Sequence, residues 1–139
     1  MPILYTAHAT SAGGRDGHGK TDDGKVEVAL SLPKEMGGDG KGTNPEQLFA
    51  VGYSACYLGA IRFVAGNEKV AITSDAAVTA HVGVGPREDG GGFGLEIALD
   101  VSLPGLSKAQ AEDITAKAHI VCPYSHATKG NIKVTTTII

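Results

Sequence analysis

Two cysteines, Cys56 and Cys122, have the widest chemical range of any residues in this 139-residue chain. A thiolate can attack a peroxide, bind a metal or exchange with a disulfide. A buried thiol is a small hydrophobe that does none of these. The two are 66 residues apart, so only tertiary structure brings them together. The segment His119-x-x-Cys122-x-x-x-His126 gathers three metal-type ligands within eight residues. A closed zinc site needs about four, and a fourth from Cys56 or His81 would have to arrive through folding. Pro123 also redirects the chain between the ligands. His119 therefore reads as a helix-face histidine and His126 as a turn residue. Gly14-x-x-x-x-Gly19-Lys20-Thr21 satisfies the phosphate-loop pattern. That loop needs its Lys-Thr pair to open a helix whose amides surround phosphate. Here Asp22-Asp23-Gly24 follows, then a strand, so nucleotide triphosphatase chemistry is set aside. Catalysis, non-enzymatic redox sensing, metal binding and core packing all stay open for the two thiols at this point.

The elements that must position them alternate in type. Residues 2–10 read as a strand, followed by the turn Gly13-Gly14-Arg15-Asp16-Gly17-His18-Gly19. The alternation of Val26, Val28, Leu30 and Leu32 with Glu27, Ala29 and Ser31 predicts a second strand. After a loop over Gly37–Thr43, which has the composition of a flexible connection or lid, comes a strong helix start. Asn44 caps, Pro45 takes the first position and Gln47 stands three residues on. This helix should reach Gly66-Asn67. It is apolar almost all round, from Leu48 and Phe49 through Leu58 and Ile61 to Val64, the pattern of a buried central helix. Its length also suits a membrane span, but Arg62, Ser54, two internal glycines and strands on both sides favour burial. Residues 70–85 and 93–103 read as strands joined by a hairpin tip over Pro86–Gly92. Ser107 with Gln110 boxes the start of a second helix whose stripe is Ala111, Ile114, Ala118 and Val121, and which ends at Cys122-Pro123. The tail from Ile132 to Ile139 is a last strand. Strands, a central helix, more strands and a helix make an α+β domain.

The length suits one domain, residues 1–139, around one core. Twelve basic against fifteen acidic residues give a formal charge of -3, which argues against nucleic acid or an anionic membrane as partner. Hydrophobic residues at 42% and charged residues at 19% describe a globular chain rather than a disordered one. Two cysteines are too few for a secreted disulfide scaffold, and no basic-then-apolar leader opens the sequence. A cytoplasmic location is expected, where a cysteine pair is more often catalytic, metal-binding or buried than structural.

Three stretches narrow the choice: GGRDG at 13–17, NPEQLFAVGYSAC at 44–56 and VCPYSHATKGN at 121–131. Together they resemble the organic hydroperoxide resistance (Ohr) branch of the Ohr/OsmC family, in register over essentially the whole chain. Tyr57 stands where Phe is usual, and His126 occupies a variable position. The resemblance implies an OsmC-like fold, with antiparallel sheets wrapped around buried central helices in an intertwined homodimer. It implies a cysteine peroxidase acting on organic hydroperoxides, without metal or organic cofactor, recycled by dihydrolipoamide or a lipoyl-bearing protein. By position, Cys56 matches the peroxidatic cysteine, Cys122 the resolving one, and Arg15 and Glu46 the charged pair at the site.

Elementary chemistry is consistent with those roles. A thiol titrates at about 8.5 and burial raises that, so a cysteine that attacks peroxide at neutral pH needs a cation beside it. Cys56 lies too deep in its helix for the N-terminal dipole to help. Arg15, on a glycine-flanked turn, is the candidate cation, and Glu46 can grip its guanidinium in a bidentate pair. Glu46 and Cys56 are ten residues apart, about 15 Å along one helix, so Glu46 cannot serve Cys56 of its own helix directly. Two such helices packed antiparallel would let each chain complete the other's site. Cys122 at a helix C-terminus is expected to be the poorer nucleophile toward peroxide, suited to closing the disulfide. Leu48, Phe49, Tyr53 and Tyr57 are the apolar company of Cys56 and the candidate walls for an alkyl or fatty-acyl chain.

Overall fold

Glycine geometry shapes the first turn of the chain. Gly13 and Gly14 take φ of 79° and 62°, the left-handed region that favours glycine, and open a single 3-10 turn, Gly14–Asp16, that carries Arg15. A Cβ on Gly17 would lie 1.8 Å from the Ala12 carbonyl oxygen, so only glycine closes this turn. The computed structural model describes the whole chain, Met1–Ile139, and its backbone divides into two units, Met1–Leu48 and Phe49–Ile139.

In the first unit, β1 (Ala9–Ala12), β2 (His18–Thr21) and β3 (Glu27–Ala29) form an antiparallel sheet in that order. The first strand begins later than the sequence pattern predicts. Its pairing runs from Ala12 opposite His18 to Ala9 opposite Thr21, and β2 ends there, so residues 1–8 have no strand to continue on. Ile3, Leu4 and Tyr5 are left exposed. The second expected strand is likewise cut to Glu27–Ala29, with Leu30 bridged to Thr43 beyond it. Lys20 and Thr21 lie within β2 rather than at a helix start, so the phosphate-loop pattern is not a phosphate loop.

Helix α1 (Pro45–Asn67) starts as its cap dictates: Asn44 Oδ1 accepts from the Gln47 amide at 2.9 Å. The Gln47 side chain does not reach back to complete a box; its Oε1 accepts from the Thr43 hydroxyl at 2.6 Å. The helix begins in the first unit and runs on into the second, where its inner face, Tyr53, Tyr57, Ile61 and Val64, is buried. Burial all round, the sequence expectation, is not what a single chain provides. The ridge Val51, Ala55, Gly59, Phe63 stays on the surface, with Val51 68% and Phe63 59% exposed. The helix is long and apolar enough to cross a membrane, yet Tyr53, Tyr57 and Ile61 on its inner face sit completely buried in a protein core.

The second unit's sheet has the order β4 (Ala77–Pro86), β5 (Phe93–Ser102), β6 (Val134–Ile138). The β4–β5 hairpin is antiparallel and its tip is closed by the Arg87 amide on the Gly92 carbonyl at 2.8 Å. Strand β4 starts seven residues later than predicted, because a turn fixed by the Thr73 hydroxyl on Asp75 occupies the approach. In β5 the alternation holds where the core is, with Ile97, Leu99 and Val101 buried, and lapses at the tip, where Phe93 is exposed. Strand β6 runs parallel to β5, so this sheet is mixed rather than purely antiparallel. A parallel neighbour needs a crossover, and helices α2 (Lys108–Val121) and α3 (Pro123–Thr128) supply it.

Helix α3 was not legible in the sequence. Pro123 ends α2 as expected, but it also occupies the first position of α3, where a missing N–H costs nothing. The break turns Val121 outward, so Ala111, Ile114 and Ala118 are buried without it. At its other end α2 is closed by a full capping box between Ser107 and Gln110. Ser107→Ala is expected to cost about 1 kcal/mol of stability, read as a lower urea midpoint at unchanged m-value.

Candidate active site

Cys56 and Cys122 meet. Helix α1 carries Cys56 about three turns from its start, and the α2–α3 junction carries Cys122, with the two Sγ atoms 3.6 Å apart and both thiols free. A disulfide has an S–S length of about 2.05 Å, so closure needs the sulfurs to approach by about 1.5 Å. Their exposure separates them: Cys122 is completely buried among Tyr53, Tyr57, Ile114 and Ala118 in the core, whereas Cys56 is half-buried. Cys122 does stand at the C-terminus of α2, but not only there. Cys122 ends α2 and caps α3 at once, so opposite helix ends meet at this residue and the C-terminal dipole does not act alone. Burial, not the dipole, is what makes it the less accessible thiol.

Burial pushes the Cys56 thiol above its ordinary range, the Cys122 thiol adds to the rise, and the Tyr124 backbone amide works against it. Burial and the neighbouring thiol thus favour the protonated form of Cys56 over the thiolate. Tyr124 was not singled out from the sequence. It is 39% exposed and stacks edge-on against Phe49, centroids 5.9 Å apart. The signal for it was its place two residues after Cys122, on a helix that the sequence pattern hid.

In the first unit, Arg15 and Glu46 form the expected fork: Nη1 donates to Oε2 at 2.8 Å and Nη2 to Oε1 at 2.7 Å. The glycine turn presents the arginine and the first turn of α1 the carboxylate. The guanidinium holds the Glu46 carboxyl below its ordinary range, and Glu46 in turn raises Arg15. The sign follows directly. With Glu46 depressed on folding, the pair's stabilisation is complete above the ordinary carboxylate value of 4.5 and is lost only as pH falls through the lower folded value.

The four candidate walls separate by accessibility. Tyr53 and Tyr57 are completely buried and back the cysteine pair from inside the core. Phe49 is half-buried against that core, and Leu48 is exposed. Both tyrosine hydroxyls are engaged, Tyr53 with Ser125 at 2.9 Å and Tyr57 with the Thr115 carbonyl at 2.8 Å. His119 faces inward rather than outward, with Nδ1 on the Ser125 hydroxyl at 2.8 Å and Nε2 on the Thr136 hydroxyl at 2.7 Å. With both ring nitrogens so engaged, His119 is not free to join Cys122 and His126 as a metal ligand.

Comparison with known proteins covers nearly the whole chain. The family model described as OsmC-like protein matches residues 38–137. An organic hydroperoxide resistance protein of Xanthomonas axonopodis pv. citri is 47% identical over 137 residues, covering 98% of this chain and 95% of the relative. A solved organic hydroperoxide resistance protein from Elizabethkingia anophelis superposes with a TM-score of 0.93 at 47% identity, covering 99% of this chain and 98% of the other. The organic hydroperoxide resistance protein OhrB of Bacillus subtilis superposes with a TM-score of 0.90 at 38% identity, covering 99% of this chain and 100% of the other.

Proposed function

The chain belongs to the OsmC-like protein family, in its organic hydroperoxide resistance branch, and on that premise we propose that it is a thiol peroxidase reducing organic hydroperoxides to alcohols. The observation that carries the reading is the free thiol pair, 3.6 Å apart with Cys56 half-buried and Cys122 completely buried. The Cys56 thiolate attacks the distal peroxide oxygen, the O–O bond breaks, and the alkoxide takes a proton and leaves as alcohol. Cys56 is then a sulfenic acid. Cys122 attacks its sulfur, the S–O bond breaks, and water departs as the disulfide closes. A dithiol of the lipoyl type, dihydrolipoamide or a lipoyl-bearing protein in the cytoplasm, restores both thiols by exchange and leaves as its own disulfide. The cation that Cys56 requires is Arg15, aimed by Glu46, from the same subunit or from a partner.

A homodimer fits this reading. The exposed ridge Val51, Ala55, Gly59, Phe63 on α1 and the exposed Ile3, Leu4 and Tyr5 are apolar surfaces that a second copy would cover. Val51→Glu is expected to shift the protein from dimer to monomer or aggregate in sedimentation, and an unchanged dimer would place the interface elsewhere.

Cys122→Ser tests the division of labour. One rapid turnover per chain is expected, followed by a Cys56 sulfenic acid that dimedone traps. Normal cycling of this variant with a dithiol would remove Cys122 from the mechanism. Sustained turnover of the unaltered protein with a dithiol, rather than a single oxidation, separates an enzyme from a redox sensor built on the same thiols.

A further inference from the structure

We propose that His119 and Ser125 are positioning residues for disulfide closure: with Tyr53 and Thr136 they form a hydrogen-bonded chain that straddles the α2–α3 junction and holds Cys122 in register with Cys56. This rests on the peroxidase reading for its place in the cycle, though not for its geometry.

The chain ties four elements together. Tyr53 on α1 meets Ser125 on α3 at 2.9 Å, Ser125 meets His119 Nδ1 on α2 at 2.8 Å, and His119 Nε2 meets Thr136 on β6 at 2.7 Å. His119 and Ser125 stand three residues before and three after Cys122, so their bond closes over the break in the helix where the cysteine sits. Tyr53 stands three residues before Cys56 on α1, so the same chain fixes that helix against the junction. The His119 ring also lies against the Tyr57 ring, centroids 4.5 Å apart, on the other side of Cys56 in sequence.

One direction of hydrogen bonding gives the completely buried Tyr53 hydroxyl an acceptor. Tyr53 donates to Ser125, Ser125 donates to His119 Nδ1, and His119 Nε2–H donates to Thr136. The reverse direction would leave the Tyr53 hydroxyl hydrogen without an acceptor inside the core. Burial lowers the His119 pKa and so favours the neutral ring that this direction requires. No buried side-chain nitrogen or oxygen is left without a partner. Apolar side chains could fill the same volume without this demand for direction. A fully satisfied polar network adds a single defined geometry, which a helix broken at a reactive residue needs more than the rest of the core does.

The consequence concerns one step. The Cys122 sulfur must find the Cys56 sulfenic sulfur before a second peroxide does, and loosening the junction spreads its positions without touching the first attack. Three variants test this: Ser125→Ala, His119→Phe and the shape-conserving Thr136→Val, which removes only the far end of the chain. Ile114→Val serves as a control that weakens the core without breaking the chain. In stopped flow with an alkyl hydroperoxide, the first oxidation is expected to stay within about twofold of the unaltered protein. Disulfide closure slows about tenfold or more, and sulfinic acid at Cys56 accumulates as peroxide rises. Against a glutathione redox buffer, the equilibrium constant for the Cys56–Cys122 disulfide falls about tenfold, equivalent to about 30 mV. The control keeps both values. Folded Ser125→Ala and Thr136→Val proteins with unaltered closure rate and unaltered glutathione equilibrium would overturn the positioning role. If the Cys122→Ser protein gives no sulfenic acid at all, the peroxidase reading fails, and the glutathione equilibrium alone then decides the positioning claim.

Discussion

Replacing Cys56 by serine is expected to abolish hydroperoxide reduction, lowering kcat/KM by roughly 10⁴-fold or more, the scale on which removal of a nucleophile acts. The size follows from the chemistry. A serine hydroxyl is not ionised at neutral pH, and its oxygen does not accept transfer of a peroxide oxygen as sulfur does. Stability should change little, because Cys56 is only half-buried and serine is close to it in volume. Cys122 by contrast is completely buried among apolar side chains, so its replacement by serine carries a folding cost as well as a kinetic one. Circular dichroism on both variants beside the assay separates the two effects. A Cys56→Ser protein that still turns over alkyl hydroperoxide would remove the nucleophile from the account.

Arg15→Ala is expected to lower the rate of the first oxidation by about 10²- to 10³-fold, the range for removing one preorganised charge from a reacting centre. Burial and the Cys122 thiol hold Cys56 above the ordinary thiol range, so a larger thiolate fraction at neutral pH calls for a cation, the role proposed for Arg15. Without Arg15 the ascending, acid-side limb of the pH–rate profile should move to higher pH, and raising pH should recover part of the rate. Glu46→Gln keeps a hydrogen bond but loses the forked charge pair, so a smaller loss is expected, with the same upward displacement. Mixing Arg15→Ala and Cys56→Ser chains distinguishes the source of the arginine. A site built from two subunits regains activity in the mixed dimer, since one of its two sites is complete. A site built within one chain does not. No change of profile in Arg15→Ala would mean that another group ionises Cys56.

The sequence read most clearly where local chemistry decides structure. Asn44-Pro45 and Ser107 with Gln110 marked two helix starts, and the glycines around Arg15 marked a turn that only glycine can close. The Arg15–Glu46 pair was legible through the family resemblance, and the forked geometry suits the two charge types. What escaped was set by neighbours rather than by pattern. Residues 2–8 have strand chemistry but no strand to pair with in one chain. The stripe on α2 predicted a buried Val121, and the break at Cys122 turned it out. Pro123 read as a stop and is also a start, which hid α3, placed Tyr124 beside Cys56 and altered the dipole argument for Cys122. His119 read only as a helix-face histidine, because nothing in a sequence tells that hydroxyls from α3 and β6 converge on its ring. The apolar girth of α1 predicted a helix buried all round, and one face of it stays bare in a single chain.

Steady-state turnover tests the central claim most directly. An alkyl hydroperoxide and hydrogen peroxide are each paired with dihydrolipoamide, glutathione and thioredoxin, and product alcohol is followed over many equivalents of enzyme. Continuous turnover of the alkyl hydroperoxide with dihydrolipoamide is expected, with kcat/KM at least about tenfold above that for hydrogen peroxide, the discrimination that a few buried methylenes provide. A single equivalent of oxidation followed by arrest with every dithiol would contradict the account and leave the thiol pair a sensor rather than an enzyme.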